Sequence, residues 1–339
     1  TKPFDRPLPQ NALNLEGKTR SNIFPWRGQF SPELIENLFE AYCPDGSVVL
    51  DPFCGSGTVL CEAGLYGREA VGVELNPAAY ILSKTYELIN KSPCETDSIL
   101  DSFLSNVQEV FPEPGILQLQ SEVSLSQVEF ERSICRLRDQ LIREEEILLD
   151  AFVILLDLHN NDITPTNICS ALYKIISAVR KFPHSKKRIT ALLGDSRNIP
   201  LGDETVDFVV TSPPYINVFN YHQNYRRSAE SLGWDLLKIA KSEIGSNRAN
   251  RGNRFLTVIQ YCLDMAAALQ ELHRVLSARS RMIFVVGHES RVLGVPFYNA
   301  EIISMLATQS ELFNLVFRQN RTFKNKFGKL IREDLLHFE

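Results

Sequence analysis

The sequence predicts an α/β protein: a Rossmann-like, seven-stranded, mostly parallel sheet carrying one helical insertion. Three observations predict it. Short apolar runs of strand length recur along the 339-residue chain with helical stretches between them. The first of these runs ends in an acid and passes through a glycine-containing loop into a helix. The spacing stays regular except between Glu74 and Ile189, where no good strand occurs and amphipathic stretches take over.

Seven strands are expected, in order "SVVLD" (47–51), "AVGVE" (70–74), "ITALLGD" (189–195), "VDFVVTS" (206–212), "RMIFVVG" (281–287), "FNLVFR" (313–318) and "EDLLHF" (333–338). Their density of Val, Ile, Leu and Phe suits strands buried on both faces. Helices are expected at Pro32–Tyr42 and Phe255–Leu276, the latter with Phe255, Ile259, Cys262, Ala266, Leu269 and Leu276 on its apolar face. In the gap, Ile134, Leu137, Leu141 and Leu148 read as one helical face. The last two strands are joined by "QNRTFKNKFGKLIR", which reads as a basic connection at the sheet edge. Residues 1–86 and 188–339 thus form one α/β domain, and residues 87–187 an insertion.

A hydrophobic content of 44% and a charged content of 23% are ordinary for a globular chain. No apolar run approaches the ~18 residues of a membrane span, and the polar, proline-rich start does not read as a signal peptide. Seven cysteines, odd in number and without close pairing, argue against a disulfide framework and for a reducing cytoplasm. The six histidines are scattered without HExxH, so no metal site is expected.

The net charge of −5 does not describe a general polyanion binder, yet the charge is uneven. Glu95 to Asp150 holds 13 acids against 4 arginines. Arg318 to Arg332 holds six basic residues and no acid, and His222 to Arg254 holds seven against three acids. A basic run is most often a solvated face, but two such runs beside one site suggest a surface that follows phosphates.

Four constellations carry chemistry. In "VVLDPFCGSGTVL" a buried strand ends at Asp51 and a loop with Gly55 and Gly57 opens a helix near Thr58. Such glycines let backbone approach a ligand, although a plain βα turn would look similar. Glu74 ends the next strand, where an acid accepts from ribose hydroxyls. Asp195 ends the third strand and could accept from an adenine amine or simply cap a turn. "VVTSPPYINVF" stops a buried strand on two prolines, which lack N–H donors and hold the chain in a fixed shape between Ser212 and Tyr215.

In order, Asp51-Pro-Phe-Cys-Gly-Ser-Gly, Glu74, Asp195 and Thr211-Ser-Pro-Pro-Tyr resemble motifs I to IV of the S-adenosylmethionine-dependent DNA amino-methyltransferases, the N4-cytosine type above all. "RSNIFPWRGQFSPELIENLF" (20–39) resembles the family's motif X. The resemblance spans nearly the whole chain outside the insertion and implies a class I methyltransferase fold with S-adenosylmethionine as cofactor. It implies that Phe53, Gly55 and Gly57 cradle the methionine part, with Asp51, Ser56, Thr58 and Phe24 beside it. Glu74 would then hold the ribose and Asp195 meet the adenine. Motif I falls at 51–58 and motif IV at 211–215.

An exocyclic amine is a poor nucleophile because its lone pair is delocalised into the ring. By the resemblance, Ser212 and the Pro213 carbonyl accept the amine hydrogens, Pro214 stiffens the turn, and Tyr215 stacks on a base taken out of the duplex. Pro93-Cys94 lies in a polar stretch and is not expected to act as a nucleophile. The expected substrate is double-stranded DNA, with a cognate endonuclease acting separately. Because the acidic insertion would repel phosphates, residues 216–254 are the preferred recognition element, through Arg226, Arg227, Arg248, Arg251 and Arg254, helped by Lys324 and Lys326. N6-adenine methylation, tRNA guanine-N2 methylation and an inactive nucleic-acid-binding subunit remain the alternatives.

Overall fold

The computed structural model describes residues 4–15, 19–113, 124–216, 221–246, 254–324 and 328–339. Helices α1 (Gln10–Asn14) and α2 (Pro32–Tyr42) precede an alternation of β1 (Val48–Asp51), α3 (Thr58–Leu65), β2 (Glu69–Glu74) and α4 (Pro77–Lys84). A 3₁₀ turn at Thr85–Asn90 leads into α5 (Pro93–Val110), α6 (Gln127–Arg138), α7 (Arg143–Leu156) and α8 (Pro165–Val179). Strands β3 (Ile189–Leu193) and β4 (Val206–Thr211) follow, then α9 (Arg226–Ser231), α10 (Leu236–Ile239) and α11 (Leu256–Val275). The chain ends with β5 (Leu276–Gly287), the hairpin β6 (Glu289–Val292) and β7 (Val295–Tyr298), α12 (Asn299–Gln309), β8 (Leu315–Lys324) and β9 (Leu330–Phe338).

The main sheet has seven strands in the order β3-β2-β1-β4-β5-β9-β8. The pairings among β1 to β5 are parallel, whereas β9 runs antiparallel to both of its neighbours. Side chains of period two feed two cores. Val49, Phe208, Val210, Ile283 and Val285 pack with α2, α3, α4 and the inserted helices, while Leu50, Val209, Met282, Phe284 and Val286 pack with α11 and α12. Helices on both faces explain why the strands are nearly all apolar.

The inserted helices are specified locally. Ser92 with Glu95 and Ser126 with Glu129 form reciprocal capping boxes at the starts of α5 and α6. Pro93-Cys94 is simply the first turn of α5, and Cys94 is exposed. Residues Leu148 to Leu156 of α7 are almost all buried, and they share one continuous core with α2 and α3.

Several expectations need correction. Ile134 and Leu137 lie on α6 but Leu148 on α7, so the apolar spacing runs across a turn and does not mark one helix. On α11 the buried stripe is Val258, Tyr261, Met265, Leu269 and Leu272, while Phe255 and Ile259 are exposed. This helix carries apolar residues on two sides, so periodicity alone chose the wrong one. The basic "connection" is mostly strand: β8 runs to Lys324 and β9 resumes at Leu330. In it Arg318 pairs with Glu301 and Asp334, and buried Arg321 pairs with Glu333, so neither is a free cation. The β6–β7 hairpin was not foreseen; its turn places Leu293 and Gly294 at φ 51° and 83°, the geometry that twisted two-residue hairpins require.

His337 on β9 is wholly buried, stacked on Phe317 at 3.9 Å, with Phe4 and Tyr42 edge-on. Burial without a counter-charge pushes its pKa down to about 3. The unfolded chain takes up the proton near pH 6.5, so stability present above that pH should fall as the pH drops towards 3. The slope is at most about 1.4 kcal/mol per pH unit. His337→Phe should flatten that loss, as measured by urea unfolding at pH 7 and pH 5. Parallel losses in both proteins would clear His337 of the effect.

Candidate active site

Chain order reverses in the sheet between β1 and β4: α3 leaves β1 towards one face, and the chain after β4 reaches the other face through α11. The carboxyl ends of such a strand pair open a crevice. Asp51 and Thr211 end these strands, and buried Thr211 Oγ1 donates to Asp51 Oδ1 at 2.6 Å. Phe53 N also donates to Asp51 Oδ1, at 3.1 Å, yet burial still pushes Asp51 up to about 7. Asp51 therefore braces the site across the crevice.

The loop after β1 is shaped for close approach. Gly57 caps α3 at φ 91°, and a Cβ there would lie 2.6 Å from the Tyr86 ring. Gly55 has φ 54°, and its N–H donates to Glu74 Oε2 at 2.7 Å. Asn76 N donates to the other oxygen, Oε1, at 2.8 Å. These two bonds fix Glu74 against the loop with acceptor capacity left on each oxygen. Burial nevertheless pushes Glu74 up to about 7.

Segment 20–30 is stitched onto this loop. Asn22 Nδ2 donates to Thr58 Oγ1 at 2.9 Å, and Ser56 Oγ donates to Gln29 Oε1 at 2.9 Å. Arg20 anchors the segment to Glu36 and Glu62. Ser56 and Gly57 are buried and do not line the cavity described below, so their part is to hold the loop. Phe24 also differs from expectation: 1% exposed, it packs on Tyr86 and Phe182 in the core. Trp26, Gln29 and Phe30 from the same segment reach the cavity instead.

Asp195 reaches the cavity, but Arg197 grips it. Arg197 N and Nε donate to Asp195 Oδ1, each at 2.9 Å, and Nη2 donates to Oδ2 at 2.6 Å. Arg197 also bonds Asp264 at 2.7 Å and the Ser242 carbonyl at 2.6 Å. Little acceptor capacity remains on Asp195, and a sequence signal for this existed in the adjacent "DSR".

Ser212, Pro214 and Tyr215 line the cavity, whereas Pro213 is buried behind them. The Tyr215 ring fills the space a side chain at Gly287 would need, since a Cβ there would sit 2.9 Å from the ring. Tyr215 Oη donates to Glu333 Oε1 at 3.4 Å, and Glu333 is held by Arg321 at 2.8 Å. The first of these contacts is long, and the ring packing does most to orient Tyr215.

These parts enclose a cavity of about 580 Å³, the size of a small-molecule site. Asp51, Phe53, Gly55, Thr58, Glu74 and Asp195 meet Ser212 and Tyr215 there. Tyr221, His222 and Glu243 line it as well, and were missed because their segment was read for its charge alone. Of the cationic candidates, Arg254 lines the cavity and Arg227 and Lys324 are exposed. Arg226 is tied to Glu230 at 2.7 Å. Arg248, Arg251 and Lys326 lie outside the described residues. Among the described residues no helix is long and apolar enough to cross a membrane.

A sheet of this order with β9 alone reversed, a glycine loop at the switch point and an acid ending β2 define the class I fold of S-adenosylmethionine-dependent methyltransferases. Residues 8–85 match the family model described as DNA methylase, N6_N4_Mtase. The type II methyltransferase M.BsoBI of Geobacillus stearothermophilus is 23% identical over 294 residues, covering 70% of this chain and 57% of its own length. M.XycI of Xanthomonas campestris pv. cyanopsidis is 50% identical over 48 residues, 14% of this chain and 16% of its own. Over these spans the chain is similar to DNA methylases of the N6/N4 type and to type II methyltransferases. It spans little more than half the length of M.BsoBI. A solved S-adenosylmethionine-dependent methyltransferase from Methanosarcina mazei covers 88% of this chain and 93% of its own at 11% identity, with a TM-score of 0.41.

Proposed function

We propose that the protein is a site-specific DNA methyltransferase that methylates the exocyclic N4 amine of a flipped-out cytosine, as the modification enzyme of a restriction–modification system. The observation that carries this reading is that Ser212, Pro214 and Tyr215 share one cavity with the glycine loop and Glu74. The cavity fits the cofactor's demands: the backbone of Gly55 in its wall, a carboxylate with acceptors to spare, and apolar walls from Phe53, Leu237 and Ile244. When bound, S-adenosylmethionine supplies an electrophilic methyl group.

The chain's own residues do the rest. Glu74 accepts from the ribose hydroxyls, and the backbone at Gly55 lets the methionine part lie close. Ser212 Oγ accepts an amine hydrogen, and the proline-stiffened turn holds it there beforehand, so little reorganisation accompanies the reaction. Tyr215, fixed by Gly287 and Glu333, offers its ring to the extruded base. The β8–β9 hairpin lies at the same edge of the sheet, because Gly287 pairs with Glu333 and the hairpin runs on beyond that pair. Its Lys324 and Lys329 suit the phosphates of duplex DNA approaching that edge.

Cytosine is preferred to adenine because Ser212 stands where adenine enzymes of this family usually carry Asp or Asn. A hydroxyl is shorter and can donate as well as accept. The test is purified protein with unmethylated DNA and methyl-labelled cofactor, followed by digestion to nucleosides. Label in N4-methyldeoxycytidine is expected. Label only in N6-methyldeoxyadenosine would overturn the base assignment, and label in neither would overturn the activity.

A further inference from the structure

The segment read as a DNA reader has a second place in the molecule: its described part, residues 221–246, folds over the cavity. Leu237, Ala240 and Ile244 turn apolar surface inward. Three bonds fasten this cover to the body: Arg197 Nη2 to the Ser242 carbonyl at 2.6 Å, Gly245 N to Asp264 Oδ2 at 2.8 Å, and Leu158 N to Ser228 Oγ at 3.0 Å. Glu243 sits on the inner side. His222 N donates to its Oε1 at 2.7 Å, and His222 Nδ1 lies 2.9 Å from its Oε2. The Glu243 side chain is 20% exposed and lines the cavity together with Glu74.

We propose that Glu243 is a cofactor-binding residue, a second carboxylate that shares the cavity with Glu74 and favours the sulfonium charge of S-adenosylmethionine. The inference rests on the cofactor reading above and adds a residue to it. Its first support is placement. Asp195, the acid expected beside the cofactor, is occupied by three N–H donors of Arg197, whereas each Glu243 oxygen takes one contact from His222 and keeps capacity for another.

The second support is like charge. Burial does most to disfavour ionisation of Glu74 and Tyr221, and the charge of Glu243, which lines the same cavity, adds to it for both. Arg27 and Arg254 also line the cavity with Glu74 and Glu243, while Arg197 is shared between Asp195 and Asp264. Two carboxylates facing one space favour a cationic guest over a neutral one of the same shape. S-adenosylmethionine carries the sulfonium charge; S-adenosylhomocysteine, the product of methyl transfer, has lost it. A carboxylate at this position therefore binds the donor more tightly than the spent product and favours exchange after each turnover.

Calorimetric titration of the full chain with each compound tests the idea. Glu243→Gln keeps the shape and the His222 N–H contact, and should weaken S-adenosylmethionine by about tenfold while S-adenosylhomocysteine changes by less than about threefold. Glu243→Asp keeps the charge and should stay nearer the wild-type preference, a rescue that general damage to the cover would not show. Equal losses for both compounds, or no loss, would overturn the proposal while leaving the cofactor site standing. A wild-type protein that binds neither compound would overturn both readings.

Discussion

Replacing Ser212 by alanine should lower methyl transfer by roughly 10²–10³ while S-adenosylmethionine binds within about twofold of wild type. The split follows from where the hydroxyl sits. Ser212 lies at the end of β4, beside Tyr215, whereas the glycine loop and Glu74 belong to the first two strands. Removing one preorganised acceptor takes away an interaction that matters most as the amine nitrogen gains bonding character. It leaves the cofactor's own contacts unchanged. The backbone should not move, because the buried Pro213 and the Thr211–Asp51 bond hold the turn from both sides. Single-turnover kinetics with labelled donor, set beside a calorimetric titration, measure both halves. Near-normal turnover would mean that another group orients the amine.

Glu74→Ala should have the opposite signature, weakening S-adenosylmethionine by about 1.5–3 kcal/mol, the scale of losing charge-assisted hydrogen bonds. It also releases the Gly55 and Asn76 N–H groups, so part of the loss comes from the loop itself. Glu74→Gln separates the two contributions, since the amide oxygen can still accept. A pH dependence accompanies the wild-type value. Burial pushes Glu74 up to about 7, and hydroxyl donors or a cation favour its ionised form. Affinity should therefore rise as the pH climbs from 6 to 8, with a proton released on binding near neutrality. The alanine variant should lose that rise. An unchanged affinity in Glu74→Ala would remove this residue from the site.

The parts of the fold that could be read in advance are those where residue type constrains backbone directly. Glycines at 55 and 57, the proline pair at 213 and 214, and strands apolar on both faces leave few alternatives, and each expected strand overlaps one of β1 to β5, β8 and β9, although β5 starts five residues earlier and β8 ends six later than expected. Helix faces were harder. On α11, Ile259 and Leu263 are as apolar as the residues beneath them, and only the packing of α12 and the sheet decides which side is buried. Long-range pairing was invisible for a similar reason. Nothing in the order of residues says that Arg321 will turn inward to Glu333, or that Phe24 will join a core with Phe182. Net charge misled most at 221–246, where counting cations hid an apolar inner side.

The single core running beneath α2, α3 and the inserted α7 bears on how this protein could be re-engineered. A specificity cassette is ideally a module that can be exchanged without disturbing the chemistry. Residues 87–187 are poorly suited to that use, since Leu149, Phe152 and Val153 pack in the same core as Val59 and Leu82. Helix α4, which carries Leu82, starts three residues after Glu74, so a void left under it would be felt at Glu74. A designer seeking new sequence preference would do better to diversify exposed positions on the β8–β9 hairpin, and to leave the inner face of α7 as it stands.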